Sequence, residues 1–208
     1  MKDIKMINGI DISHFNQVTD FSAVAKAGID FAFVKATDGT DFIDPKLEYN
    51  FNGCRDAGII TGIYHFYRPD KEPVDQAFIL NKIAKKLNPA MIAVDVEPSG
   101  NPDGWLKLSP QDRATSVKIF LGVVQSNSGK KPILYSTEDF LGNTLSNLRL
   151  DMPLWLARWS DKQPEKKWTF WQNSNSGKIP GIVGPVDTDQ FNGTAMDLSE
   201  LNGQLKLL

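Results

Sequence analysis

The sequence predicts an α/β fold in one domain, built as an eight-stranded barrel from whose last strands the helices are missing. Three observations predict it. Short runs rich in Val, Ile, Phe, Tyr and Trp recur eight times, and stripes of apolar residues at 3.6 spacing separate the early runs. At 208 residues the chain also falls short of the ~250 that a complete (β/α)8 barrel uses. Strand alternating with helix implies parallel pairing through crossover helices over the first five strands. The connections among the last three runs are less helical, and the missing helices are expected there.

In order, the strands are read at 8–13, 31–37, 60–67, 91–97, 132–137, 153–159, 170–173 and 186–191. Leu47, Phe51 and Cys54 make one helical stripe, Leu80, Ile83 and Leu87 a second, and Val117, Phe120, Leu121 and Val124 a third. Pro45 after Asp44 reads as a proline in the first helical position, and Ser109 with Pro110 opens the third helix. Gly28, Gly58 and Gly129 follow helical runs as C′ residues. The polar stretch 98–107, directly after a strand, reads as a loop. No linker, charge block, low-complexity tract or internal repeat divides the chain, so residues 1–208 are read as a single domain.

The 23 Lys and Arg against 25 Asp and Glu leave a formal net charge of -2, so no overall positive field exists to hold nucleic acid or an anionic membrane surface. One cysteine, Cys54, and two histidines, His14 and His65, exclude an intramolecular disulfide and a thiolate-based structural zinc site. No metal or other cofactor is expected. Cys54 lies in helical register with Leu47 and Phe51 and reads as a small core residue. No window approaches the ~18 consecutive apolar residues of a membrane span. Residues 1–7 lack the ~7 to 15 apolar residues of a Sec signal, so the chain is expected to be made in the cytoplasm and to reach any outside substrate by another route.

The informative feature is Ile92-Ala93-Val94-Asp95-Val96-Glu97-Pro98, an apolar strand that finishes with carboxylates at i and i+2. Strand side chains alternate faces, so Asp95 and Glu97 point the same way with α-carbons roughly 6.6 Å apart. An ionised acid on an inward face demands partners or a raised pKa. In a parallel barrel this pair falls at the carboxyl ends of the strands, the face that carries catalysis. Asp11 lies on the first strand and Asp187 on the last, and closure makes those strands neighbours, so four acids are expected to share one mouth. Asp189, two residues beyond Asp187, reads as an exposed acid nearer the loop. Alone, each acid also reads as a turn or capping residue; the four strand positions together favour a site.

A cleft with several carboxylates suits glycoside hydrolysis, which needs one carboxyl protonated as acid and another ionised as base, nucleophile or electrostatic support. Sugars also stack on flat aromatic surfaces, and Tyr64, Phe66, Tyr135, Trp155, Trp159 and Trp171 all lie in or at the ends of strands. As single residues they read as core; as a set they both line a barrel and present a groove.

The strings Gly-Ile-Asp-Ile-Ser at 9–13, Phe-Val-Lys-Ala-Thr-Asp-Gly-Thr at 33–40, Asp44-Pro45, Tyr64-His65-Phe66, Asp95-Val96-Glu97, Pro153-Leu154-Trp155-Leu156-Ala157, Trp171-Gln172 and Val186-Asp187 resemble, in order, the motifs of glycoside hydrolase family 25. These are the Chalaropsis-type lysozymes, many phage endolysins among them. The resemblance implies an incomplete TIM-like (β/α)5(β)3 barrel and N-acetylmuramidase activity on peptidoglycan glycan strands, at the β-1,4 bond from N-acetylmuramic acid to N-acetylglucosamine. It implies Glu97 as the general acid, Asp95 as its ionised partner, and Asp11 and Asp187 as the surrounding acids. Tyr64, Phe66, Tyr135, Trp155, Trp171, Gln172 and Lys35 become candidate substrate contacts. Asp38 stands where the family often has Glu, and Arg158-Trp159 replaces a commoner Arg-Tyr. No wall-binding repeats follow residue 193. A monomer, delivered to the wall by a holin-like or other export route, is the corresponding expectation.

Two alternatives stay open: a chitinase-like hydrolase of N-acetylglucosaminides, since Asp-x-Glu at a strand end also serves substrate-assisted cleavage, and a wall-binding protein without turnover. A dinucleotide-binding enzyme is excluded, because no G-x-G-x-x-G follows the first strand. His65 faces away from its aromatic neighbours and reads as a hydrogen-bonded histidine behind the sheet. Lys35 reads equally as a partner of the acids or as a solvated charge. Asn192-Gly193-Thr194 matches a glycosylation pattern that the missing signal peptide makes coincidental.

Overall fold

A computed structural model describes residues 6–99, 102–148 and 151–203. Among them, eleven strands and seven helices run in the order β1 (Ile7–Ile12), β2 (Gln17–Val18), α1 (Phe21–Lys26), β3 (Ile29–Asp38), β4 (Phe42–Ile43), α2 (Leu47–Asp56), β5 (Ile60–Phe66), α3 (Pro73–Leu87), β6 (Ile92–Asp95), α4 (Pro102–Lys107), α5 (Pro110–Ser128), β7 (Ile133–Thr137), α6 (Glu138–Asn143), β8 (Leu154–Ala157), β9 (Phe170–Gly177), β10 (Ile182–Val183), β11 (Val186–Phe191) and α7 (Ala195–Gly203). The main sheet runs β1-β11-β9-β8-β7-β6-β5-β3 and closes by pairing β3 with β1. Helices follow the first five barrel strands, and the last three are joined without one, which is the (β/α)5(β)3 plan. Every pairing in the barrel is parallel except the two made by β11, which runs antiparallel to both β1 and β9.

Two apolar layers hold the wall. Outward residues of the strands, among them Ile10, Val34, Ile63, Val94 and Leu134, pack against Val24, Phe51, Leu80, Val117 and Phe120 of the helices. Inward residues fill the barrel itself: Phe31, Phe33, Trp155 and Phe170 meet as a cluster of stacked and edge-on rings. Leu198 of α7 closes the lower end over Ile7, Met91 and Phe191. Cys54 is fully buried in the outer layer, and burial pushes its thiol up to about 12. His65 also lies behind the sheet, stacked on Phe120 and hydrogen-bonded to Thr37 and Gln76, with burial lowering it to about 4.

The ends of the helices follow local chemistry. Asp20, Ser109 and Thr137 cap α1, α5 and α6 through their side-chain oxygens, and Gly28, Gly58 and Gly129 take the left-handed conformation after α1, α2 and α5. Two local expectations are corrected. Pro45 does not begin α2, which starts at Leu47; the Asp44 carboxylate instead accepts from the backbone N–H groups of His14 and Lys46 and fixes the preceding turn. The 98–107 stretch holds a short helix, α4, because Trp105 turns inward, buried against Tyr67 and Phe140, and its indole N–H donates to the Glu97 carbonyl at 2.9 Å.

Gly9 is required by close approach. A Cβ built there would stand 2.3 Å from the Phe31 ring, in the packed interior where neither side can yield cheaply. Gly9→Ala is expected to destabilise the fold by about 1–3 kcal/mol, read as a lowered urea midpoint at unchanged slope.

Candidate active site

The mouth lies where the carboxyl ends of the parallel strands meet the amino end of β11. Asp95 ends β6 at 9% exposure, and the Val96 N–H still pairs with the Tyr135 carbonyl at 3.0 Å. The pleat therefore continues one residue past the strand and brings Glu97 to the same side, at the rim. The Ser99 hydroxyl donates to the Glu97 carboxylate. Burial raises the Asp95 carboxyl well above the usual range, and the Glu97 charge adds to it while Lys35 opposes it. Its Oδ1 is buried and accepts no hydrogen bond from the described residues. The sequence reading places the proton-holding role on Glu97; in the structure Asp95 is the carboxyl that burial drives toward the neutral form.

Asp11 and Asp187 face each other as Cα partners across the β1–β11 seam. Burial raises both, and for Asp11 the charges of Asp189 and Asp187 add to it. At Asp187 hydrogen bonding with Asp11 acts against the burial. Glu97 raises Asp187 further, so the seam and the β6 pair belong to one electrostatic cluster. The four expected acids therefore meet at one mouth.

A fifth acid joins them. Asp189 reads from the sequence as an exposed loop acid, and here it is 1% exposed. The reason is strand direction: β11 runs antiparallel to β1, so the residue after Asp187 on the same face lies deeper in the barrel, opposite Gly9. Trp155 Nε1 donates to its Oδ1 at 2.7 Å. The alternation Asp187-Thr188-Asp189 is the same i, i+2 signal as Asp95 and Glu97; only the direction of the strand was missing.

Gln172, on β9, ties the seam together. Its Nε2 donates to Asp11 Oδ2 at 2.7 Å, and its Oε1 accepts from Tyr135 Oη and Trp159 Nε1, both at 2.9 Å. Lys35 is resolved as a buried partner of acids: Nζ reaches Asp38 Oδ2 at 3.2 Å and stands 4.8 Å from the Phe66 ring centre. Arg68, not singled out by sequence, grips Asp38 with two bonds of 2.6 and 2.9 Å and covers Phe66 at 4.5 Å. Burial works against the Asp38 charge, but hydrogen bonds and charge from Arg68 and Lys35 outweigh it and hold the carboxyl below the usual range.

The aromatic candidates divide. Tyr64 is half-buried inside the mouth, and Phe66 lies beside Asp95 in register. Tyr135 and Trp155 are buried beneath the acids as part of the barrel interior and present no open face. Trp171 is not in the cleft: with Gln172 facing inward, its neighbour faces outward, packs on Trp168 and Leu156, and gives its indole N–H to the Arg158 carbonyl. Trp159, at 58% exposure and hydrogen-bonded to Gln172, is the open indole at the rim. The arrangement offers buried carboxyls that burial pushes toward the neutral form, a rim acid and an aromatic edge, which are the parts of a glycosidase.

The sequence profile of Glycosyl hydrolases family 25 matches residues 10–182. Lysozyme M1 of Streptomyces globisporus is 30% identical over 96% of this chain and 72% of its own length. The uncharacterized protein YegX of Escherichia coli K12 is 34% identical over 92% of this chain and 72% of its own. The crystal structure of a bacterial lysozyme from Streptomyces coelicolor superposes with a TM-score of 0.88 at 28% identity, covering 98% of this chain and all of the other. Sequence and barrel thus agree with the acid-lined mouth, and the chain belongs to glycosyl hydrolase family 25 and is a glycoside hydrolase.

Proposed function

We propose that the chain is an N-acetylmuramidase that cleaves the β-1,4 bond between N-acetylmuramic acid and N-acetylglucosamine in peptidoglycan strands. The observation that carries the reading is the Asp95–Glu97 pair: a buried carboxyl, one of whose oxygens receives no donor from the described residues, behind a rim carboxyl at the end of one barrel strand. The lysozyme relative supports peptidoglycan as the substrate class. On this reading the chain acts as a monomer on the cell wall, after delivery by a holin-like or other export route. Among the described residues no helix is long and apolar enough to cross a membrane.

At rest burial favours the neutral form of Asp95. In the working complex Asp95 passes its proton to Glu97, and Glu97 delivers it to the glycosidic oxygen as the bond to the anomeric carbon breaks. Positive charge developing on the sugar stabilises Asp95 as a carboxylate, acting on the anomeric centre directly or through the substrate's acetamido oxygen. Water then adds at the anomeric carbon and its proton returns to Glu97. Trp159 supplies a surface for a sugar ring at the rim, and Lys35 with Arg68 holds Asp38 and flanks the Phe66 ring.

Glu97→Gln is expected to fold normally and to lose about 10²- to 10⁴-fold in turnover on purified peptidoglycan; a folded variant retaining a tenth of wild-type activity removes Glu97 from this role. Asp95→Asn is expected to lower kcat more than it raises KM, and an early-time NMR spectrum of the products should show retention at the anomeric carbon if the acetamido group participates. Borohydride reduction of a digest followed by mass spectrometry should find the new reducing ends on muramic acid. Reducing ends on glucosamine, or turnover of chitin oligomers in preference to peptidoglycan, would contradict the muramidase reading.

A further inference from the structure

Among the described residues the most exposed large apolar side chain is Phe15, at 83%. It stands on the turn that follows β1, just beyond Asp11, and this turn is tied down at every residue. The Ser13 N–H donates to Asn16 Oδ1 at 2.9 Å, the Asn16 N–H to the Ser13 carbonyl at 3.1 Å, and the Phe15 N–H to Ser13 Oγ at 3.3 Å. The His14 N–H and ring Nδ1 both reach Asp44 Oδ2, at 3.0 and 2.7 Å, and Lys46 Nζ donates to the Asn16 carbonyl at 2.9 Å. An apolar ring is thus held out into water on a rigid support.

Phe15 does not stand alone. The His14 ring meets it at 3.9 Å between ring centres and meets Phe42 of β4 at 5.7 Å. Phe42 is 39% exposed, pairs with Asp38 across β3 and β4, and has Lys35 Nζ 6.0 Å from its ring centre. The same amine stands 4.8 Å from the Phe66 ring, which Arg68 also covers. A continuous series of rings and cations therefore runs from Phe15 to the Asp38–Arg68 pair beside the mouth. Its inner members are engaged with one another, while Phe15 and Phe42 keep open faces. Single exposed apolar residues need no explanation, but a contiguous aromatic patch that continues a substrate cleft marks a binding surface.

The patch fits a pyranose ring. In a β-1,4-linked amino sugar the ring substituents are equatorial, so both faces present C–H groups that lie flat on an aromatic ring. A support ordered before binding keeps the cost of that contact low. Trp159 rises from the end of β8, and β9 and β11 separate β8 from β1 in the sheet, so the acids of the β1–β11 seam lie between two aromatic edges. We propose that Phe15 and Phe42, joined by the His14 ring, form a sugar-binding subsite that holds the glycan strand at a distance from the cleaved bond, across the seam acids from Trp159. This deepens the muramidase reading and rests on it for the identity of the strand.

Substitution at so exposed a residue as Phe15 leaves the core untouched. Phe15→Ala is expected to raise KM on long glycan strands about fivefold with kcat within about twofold, and to leave kcat/KM unchanged on the shortest fragment that is cleaved. Phe15→Trp keeps a flat ring and is expected to stay within about twofold of wild type, whereas Phe15→Leu, apolar but not flat, follows Ala. Phe42→Leu, which keeps the apolar volume, shifts KM in the same direction. An unchanged KM in Phe15→Ala, a loss carried by kcat, or an equal loss on long and short substrates overturns the proposal. Strands stripped of their peptide stems by an amidase separate the two parts of the substrate: the Phe15 effect is expected to persist on them, and its disappearance assigns the patch to the peptide and overturns the sugar subsite. Co-sedimentation of the Glu97→Gln protein with insoluble peptidoglycan reads binding without turnover. If wild-type protein leaves peptidoglycan intact while Phe15→Ala still weakens this retention, the cleavage reading fails and the subsite stands; intact cleavage with retention unaltered by Phe15→Ala overturns the subsite alone.

Discussion

The antiparallel pairing of β11 with β1 is the constraint on which the site depends. The barrel pairs that do not involve β11 are parallel and deliver only their carboxyl ends to the mouth. Reversing one strand sets Asp187 at the mouth opposite Asp11 and sends Asp189 down to the level of Gly9. A parallel eighth strand would place the two acids in the opposite order, with the second nearer solvent. Closure in this sense sets three carboxyls against one another and brings them within electrostatic reach of the pair on β6.

Carboxyls packed this closely in a largely apolar barrel must be partnered or neutral. The chain uses both solutions, and it sorts them by depth. Near the rim, cations do the partnering: Lys35 and Arg68 bind Asp38 and flank the Phe66 ring. Deeper in, where a Lys or Arg would itself be costly, the donors are neutral: the Trp155 indole, the Tyr135 hydroxyl by way of Gln172, and the Gln172 amide. Aromatics that the sequence offers as sugar platforms therefore serve as the polar floor of the site, each spending its N–H or O–H downward or sideways. The rim indole of Trp159 is joined to the same floor through Gln172.

Much of this was legible in the chain. Eight β-rich runs, the helical stripes around Phe51, Leu80 and Val117, and the acid pair at 95 and 97 follow from side-chain periodicity, a local property. What the sequence did not disclose is what depends on pairing partners. The direction of β11 decides the depth of Asp189, and nothing within residues 186–191 states it. Trp171 and Gln172 are adjacent, and which of them faces inward depends on register with β11 and β8. The short α4 is held by the burial of Trp105, so the polar residues around it read as loop. Arg68 lies beyond the end of β5, and its bidentate grip on Asp38 links two strands thirty residues apart in the chain.

The wall of the barrel is unequal in thickness around its circumference. α3 and α5 pack on each other, and their Leu80, Val117 and Phe120 share the outer core with Val94 of β6. Among the described residues the last three barrel strands are joined without a helix, and the small Leu156–Trp168–Trp171 cluster and the β2–β10 pair lie on that side. β6 is buried along its whole length, whereas β11 mixes buried with half-buried residues. The amide protons of β11 are expected to exchange sooner than those of β6, which sets Asp187 and Asp189 on the more lightly covered arc and Asp95 on the more heavily covered one.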